Sequence, residues 1–241
     1  MNNFWTSVSV WSAAVRMATP ILLAALGCLI CSKAGVTNLA IDGFMTIGCF
    51  ISIVAIDQVS GSVWIAILFA IIGTSLYSLL FGFAVIKLKA NEIISSIAMN
   101  MLSVGLTTFL MSSVFRTQGL YRPPNIIKIQ PVNIVALQKI PIINALFNNQ
   151  NIIVYVVLLL VFLMQFIFRR TRYGLHVTAL GESREAAHSA GLSTNRIMWS
   201  VVVISGALCG LAGAFISTIT LSEFSVGMVA GRGFTAFTAA V

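Results

Sequence analysis

Long apolar stretches separated by short charged ones make up this chain. No Lys, Arg, Asp or Glu occurs in residues 17–32, 43–56, 58–86, 93–115, 140–168 or 197–222. A helix needs about 20 mostly apolar residues to cross a bilayer. The windows therefore predict six membrane-spanning helices near 11–31, 36–56, 62–86, 92–115, 150–169 and 198–221. The second of these places Asp42 inside the span. The first is read as a retained span and not a signal peptide, because Pro20 sits within it and no small-residue cleavage site follows. Residues 233–241 read as the start of a further apolar helix.

Composition removes the soluble alternatives. Of the 241 residues, 59% are hydrophobic and 8% charged, against roughly a quarter charged in an ordinary soluble domain. A soluble enzyme, a nucleic-acid-binding domain and a disordered chain are all excluded, and membrane lipid is the expected surround. The expected fold class is all-α: a polytopic membrane protein whose single transmembrane domain fills 1–241. The polar segments 116–149 and 169–197 are too short to bury a core of their own.

The net charge is +8, from 14 Lys+Arg against 6 Asp+Glu. The basic residues lie between apolar runs, which makes them a topology signal rather than a nucleic-acid footprint. One side collects Lys33, Lys87, Lys89, Arg169, Arg170, Arg172, Arg184 and Arg196. The other collects Arg116, Arg122, Lys128 and Lys139. This bias predicts a cytoplasmic 170–197 loop and an external N-terminus. The 116–149 loop then faces outward, and Pro123, Pro124, Pro131 and Pro141 predict that it is extended and irregular, with at most a short surface turn. Trp5, Trp11, Trp64 and Trp199 fall near span ends, as interfacial anchors do.

The 170–197 loop carries a helix signature. Ser183 is placed as an N-cap, Glu185 favours the positive end of the first turn, and Gly191 is placed to end the helix in the left-handed conformation. The enclosed helix has about two turns, roughly 10 Å, which is too short to be stable alone. Ala186, Ala187 and Ala190 recur at helical spacing and predict a small-residue face. Two readings follow: a docking helix for a partner protein, or a helix lying on the chain's own membrane face.

Polar groups within the spans are the candidates for a translocation path. Asp42 follows Asn38 by four residues, so both share a face if the segment is helical. Gly35 and Gly43 flank them and suggest a broken helix whose freed backbone groups need partners. An interhelical hydrogen bond is the other reading for both residues, and also for Asn100 and for Thr107 and Thr108. Glu92 is expected to pair with Lys87 or Lys89 at the boundary. Gly206, Gly210 and Gly213 have the spacing that lets membrane helices pack closely. Cys28, Cys31, Cys49 and Cys209 all lie in apolar runs and read as small helix residues. His176 and His188 lack ligand-spaced partners, so no metal is expected. No G-x-S-x-G, H-E-x-x-H or G-x-x-x-x-G-K-[ST] sequence occurs, so neither catalysis nor a resident nucleotide is expected.

Glu185-Ala186-Ala187, followed after three residues by Gly191, resembles the EAA loop of ABC importer permeases. The wider segment is more specific: Gly174-Leu175, Gly181-Glu182, Ala190-Gly191, Ile204-Ser205-Gly206-Ala207-Leu208 and Gly210-Leu211-Ala212-Gly213-Ala214. It resembles the permeases of the simple-sugar, nucleoside and branched-chain amino acid group. The run from Ala34 to Met45, the Asn91-Glu92-Ile93-Ile94-Ser95 and Met99-Asn100 segments, and Gly231-Arg232-Gly233-Phe234-Thr235-Ala236 place it nearest the nucleoside and simple-sugar type. Asp42 stands where that group usually has Glu, and its members continue for one or two further helices.

The resemblance implies the permease subunit of an ATP-driven importer in a bacterial plasma membrane. Its implied partners are a cytoplasmic ATPase subunit, a second permease subunit that is a different chain, and an external substrate-binding protein. It implies that Glu185, Ala186, Ala187 and Gly191 couple to the ATPase. Nucleosides are the first expected substrate, simple sugars the second and branched-chain amino acids the third. A secondary transporter without an ATPase is the competing class, with Asp42 as its one strong intramembrane charge.

Overall fold

The computed structural model describes residues 8–117, 119–124 and 150–241. Trp5 and most of the 116–149 loop, including Lys128, Lys139, Pro131 and Pro141, lie outside these residues. The helices are α1 (Val8–Lys33), α2 (Ile41–Ala55), α3 (Val63–Gly82), α4 (Glu92–Phe115), α5 (Ile152–Arg170), α6 (Arg172–Glu182), α7 (Arg184–Ser189), α8 (Thr194–Ala214) and α9 (Arg232–Ala240). Wider π-helical turns extend α2, α3 and α8 to Ser60, Lys87 and Leu221. With these extensions, α1 to α5 and α8 are the six described helices long and apolar enough to cross a membrane.

α8 is the hub of the bundle. Lipid tails are as apolar as leucine, so membrane helices gain little from hydrophobic burial and associate through close packing and interhelical hydrogen bonds. Glycines on α8 provide that close approach. A Cβ on Gly206 would sit 2.5 Å from Ser78 Oγ, and one on Gly210 would sit 2.7 Å from the Ala70 carbonyl, both on α3. One on Gly213 would overlap the Met45 carbonyl of α2. α2 reciprocates through Gly48, whose Cβ would lie 2.8 Å from the Gly210 carbonyl. Polar bonds then lock α2 to α8. The Ser52 and Ser217 hydroxyls lie 2.6 Å apart, and the Cys49 thiol donates to the Gly213 carbonyl at 3.2 Å. The outward faces of α3, α4 and α5 remain apolar and exposed, with Leu68, Ile72, Phe109 and Phe162 among them.

At the end of the bundle away from α7, a two-stranded ribbon pairs β1 (Leu120–Tyr121) with β2 (Phe224–Ser225). Tyr121 stacks on Phe115 and donates to Asp57 Oδ1 at 2.6 Å. The chain then doubles back. Phe224 packs on Phe50 of α2 with ring centroids 5.4 Å apart, yet Gly233 already reaches Asp42. Those contacts are eight residues apart on α2, about 12 Å of helix. The last helix, α9, therefore starts inside the bundle beside the first turn of α2.

The starts of α2 and α8 differ from the expected spans by four residues or more. α2 begins at Ile41 instead of 36, because Gly35 turns the chain with φ +71° and Asn38 Oδ1 accepts from the Ala40 N–H at 3.0 Å. The side-chain bond competes with helix formation, as it does in Asx turns. α8 begins at Thr194, four residues before the expected 198, so Arg196 lies within its first turn.

Candidate functional site

The site grows from the break between α1 and α2. α1 stops at Lys33 with its basic residue in the last turn, where the helix dipole favours a cation. α6 crosses immediately over that stop. A Cβ on Gly181 would collide with the Lys33 carbonyl, and one on Gly35 would lie 3.2 Å from Gly181 Cα. Residues 36–39 then run without regular structure, so their backbone groups need other partners.

α4 supplies them from one face. Asn91 caps α4 by accepting from the Ile93 and Ile94 N–H groups. Glu92, Ser96 and Asn100 follow at four-residue intervals, so they stand above one another along the helix. The Thr37 N–H donates to Glu92 Oε2 at 2.6 Å and the Leu39 N–H to Ser96 Oγ at 3.0 Å. Asn100 makes two bonds: its Nδ2 donates to the Leu39 carbonyl at 2.9 Å, and its Oδ1 accepts from the Gly43 N–H at 2.8 Å. A polar ladder thus replaces the missing helical bonds of the break.

Asn38 and Asp42 do not share a helix face. Asn38 is fully buried in the break and donates from Nδ2 to Ser205 Oγ of α8 at 3.3 Å. Asp42 lies in the first turn of α2, half-buried, and its Oδ1 accepts from the Gly233 N–H at 3.0 Å. A carboxylate placed there favours the positive N-terminus of α9. The two residues are separated because the helix begins between them.

Glu92 also departs from expectation. Its partner is Arg184, whose Nη2 lies 3.4 Å from Glu92 Oε1 and 3.3 Å from the Gly35 carbonyl. The structure records no bond from Glu92 to Lys87 or Lys89, since α7 brings a closer cation. Ser96 is absent from the sequence-based candidates, and Arg184 and Gly181 appear there only as a topology charge and a motif glycine. The four-residue spacing of Glu92, Ser96 and Asn100 was the available signal for the first.

α7 has the caps expected of it. Ser183 Oγ accepts from the Ala186 N–H at 3.2 Å, Glu185 lies in the first turn, and Gly191 adopts φ +82°. Burial divides the three alanines. Ala187 is buried against the bundle, while Glu185, Ala186, Ser189, Ala190 and Gly191 are exposed. Tyr173 braces the preceding helix by sharing a 2.8 Å bond with Ser200 of α8. Burial pushes its phenol above the ordinary range, and the Ser200 bond partly opposes that rise. Replacing Gly191 with valine forces a left-handed backbone on a branched residue. The expected cost is about 1–2 kcal/mol, read as roughly 5–30-fold faster amide exchange across 184–190. Unchanged exchange there would show that the turn tolerates a Cβ.

Among the described residues, no three His, Cys, Asp or Glu side chains gather as a metal site. The arrangement is a set of helix breaks held by polar side chains, joined to a short exposed helix at one end. Such breaks occur in membrane proteins where helices must shift around a path.

Comparison with known proteins agrees with this architecture. Residues 11–241 match the family model described as branched-chain amino acid transport system / permease component. The nucleoside ABC transporter permease protein NupC of Lactococcus lactis subsp. cremoris is 30% identical over 230 residues, covering 93% of this chain and 72% of the relative. The guanosine ABC transporter permease protein NupQ of Bacillus subtilis is 30% identical over 236 residues, covering 95% and 73%. TsgC13 of Haloferax volcanii, provisionally named a glucose ABC transporter permease protein, is 32% identical over 225 residues, covering 93% and 67%. No solved structure matches the chain. With the family model spanning nearly the whole sequence and six apolar helices to cross the bilayer, this chain belongs to the branched-chain amino acid transport system permease family, as a multi-pass plasma-membrane component of an ABC transporter and not an enzyme.

Proposed function

We propose that this chain is a permease subunit that moves a nucleoside inward across the plasma membrane, driven by a separate cytoplasmic ATPase subunit. The observation that carries the substrate class is the match to nucleoside and guanosine permeases over more than nine-tenths of this chain. A simple sugar is the second reading, favoured by the similarity to TsgC13. Branched-chain amino acids come third, on the family description.

The partners follow from the same reading. An ATPase subunit docks on the exposed face of α7, through Glu185, Ala186 and the turn at Gly191, while buried Ala187 anchors that helix to the bundle. An external binding protein delivers the substrate, and a second, different permease chain completes the path. Asn38, Asp42 and Asn100 act on transport by holding the helix breaks, since each already bonds to backbone groups there. Gly206, Gly210 and Gly213 keep the hub helix in place.

The test is affinity purification of the tagged protein from its native membrane in mild detergent, with co-purifying chains identified by mass spectrometry. The unaltered chain is expected to bring down an ATPase subunit. Glu185→Arg is expected to lose about tenfold or more of it, the equivalent of roughly 1.4 kcal/mol. Absence of any ATPase, under conditions that preserve a known importer, would favour a secondary transporter. Uptake of tritiated guanosine or glucose, measured during ATP depletion with the proton gradient held, then separates the two classes.

A further inference from the structure

We infer that Arg184 and Glu92 form a latch through which α7 controls the position of the α1–α2 break. The inference rests on the reading of α7 as the ATPase-docking helix and assigns the route by which its movement enters the bundle. Arg184 is the first residue of α7. Its guanidinium reaches two groups at once, the Gly35 carbonyl at 3.3 Å and Glu92 Oε1 at 3.4 Å. The first of these lies on the break itself, and the second is the foot of the polar ladder on α4.

From Glu92 the connection runs on without interruption. Glu92 Oε2 holds the Thr37 N–H, Ser96 holds the Leu39 N–H, and Asn100 holds both Leu39 and Gly43. Gly43 is in the first turn of α2, next to Asp42, which holds the start of α9. A displacement of α7 is thereby passed to two helix N-termini through side-chain contacts that do not follow the chain. α6 also touches the break, where Gly181 packs against Lys33 and Gly35, but that contact is backbone on backbone and carries no side-chain bond from α7 to α4.

The latch is built to open. The Arg184 and Glu92 side chains are 48% and 24% exposed, and a single contact at such exposure stabilises little. A cleft of about 670 Å³ lies beside it, lined by Lys89, Asn91, Thr194 and Asn195 as well as the pair itself. Arg184 therefore has space to leave Glu92 and return. Coupling between distant sites needs an element with two arrangements that both sites bias, and this pair is positioned to be one.

The experiment uses the whole transporter, purified through this chain and reconstituted in nanodiscs. The exposed Thr37 side chain, which is not part of the ladder, is replaced by Thr37→Cys as a reporter. Its labelling by a membrane-impermeant maleimide is timed in nucleotide-free and vanadate-trapped complexes. The two rates are expected to differ by about fivefold or more, the lower end of usual allosteric couplings. Arg184→Gln is expected to bring the ratio close to unity while the ATPase stays bound. Arg184→Lys keeps the charge but lacks the planar guanidinium whose Nη2 serves both acceptors, so part of the difference should remain. Glu92→Gln should behave like Arg184→Gln, because its amide oxygen still accepts from Thr37. A full rate difference in Arg184→Gln overturns the latch and leaves the permease reading intact. No nucleotide response in the reporter complex itself also overturns it. Failure of the unaltered chain to retain an ATPase removes the docking reading of α7, and the latch with it.

Discussion

Replacing Asn100 with leucine is expected to destabilise the protein by about 2–6 kcal/mol, because two backbone groups lose their partners together. Asn100 ties the break to the first turn of α2, donating to the Leu39 carbonyl and accepting from the Gly43 N–H. Leucine is close enough in size to fill the space but offers neither bond. An unsatisfied buried polar group costs about 1–3 kcal/mol, and more where lipid keeps water away. Asn100→Asp keeps an acceptor for Gly43 but has no donor for Leu39, so an intermediate loss is expected. Cys28, Cys31, Cys49 and Cys209 are free and buried. Their reaction with a thiol-reactive dye on heating therefore reports unfolding without an added probe. An Asn100→Leu midpoint equal to that of the unaltered protein would show that the break does not depend on the ladder.

Gly213→Val is expected to prevent correct assembly of the bundle. A Cβ there would overlap the Met45 carbonyl and stand 2.8 Å from the Cys49 nitrogen. Both are backbone atoms of α2, so no rotamer change relieves the clash and the helices must separate. Separation also breaks the Ser52–Ser217 contact and the Cys49 bond to the Gly213 carbonyl. Overpacking a tight contact costs about 1–3 kcal/mol before those bonds are counted. The expected result is a loss of monodisperse protein on size-exclusion chromatography after detergent extraction. Gly105→Val on α4 is the control, because a Cβ at Gly105 meets nothing within 4 Å. Equal loss in both variants would show that glycine composition, and not the α2–α8 contact, sets folding.

Much of the architecture can be read before any coordinates. Each charge-free window contains most of a helix in the structure, since a membrane span is a matter of length and apolarity. The α7 signals at Ser183, Glu185 and Gly191 are equally local: a hydroxyl, a carboxylate and a left-handed turn act within a few residues of themselves. The interruption around Gly35 and Gly43 is visible too, though its extent is not. An Asn at 38 can either continue a helix or cap the next one. That choice depends on Ser205 and the α4 ladder, which lie far away in the chain.

The sequence by itself determined the membrane setting, the number of apolar spans, the short capped helix and the family resemblance. Each rests on composition or on spacing within a few turns. The tertiary structure alone decided which groups meet. Glu92 pairs with Arg184, 92 residues away, instead of with nearby lysines, and Asp42 holds Gly233, 191 residues away. It also decided that Ala187 turns inward while Ala186 and Ala190 face out. The reason is physical. In a bilayer every face of an apolar helix is compatible with lipid, so hydropathy does not mark which face meets which neighbour. That assignment comes from glycines close enough to touch and from polar groups that must find one another where water is absent.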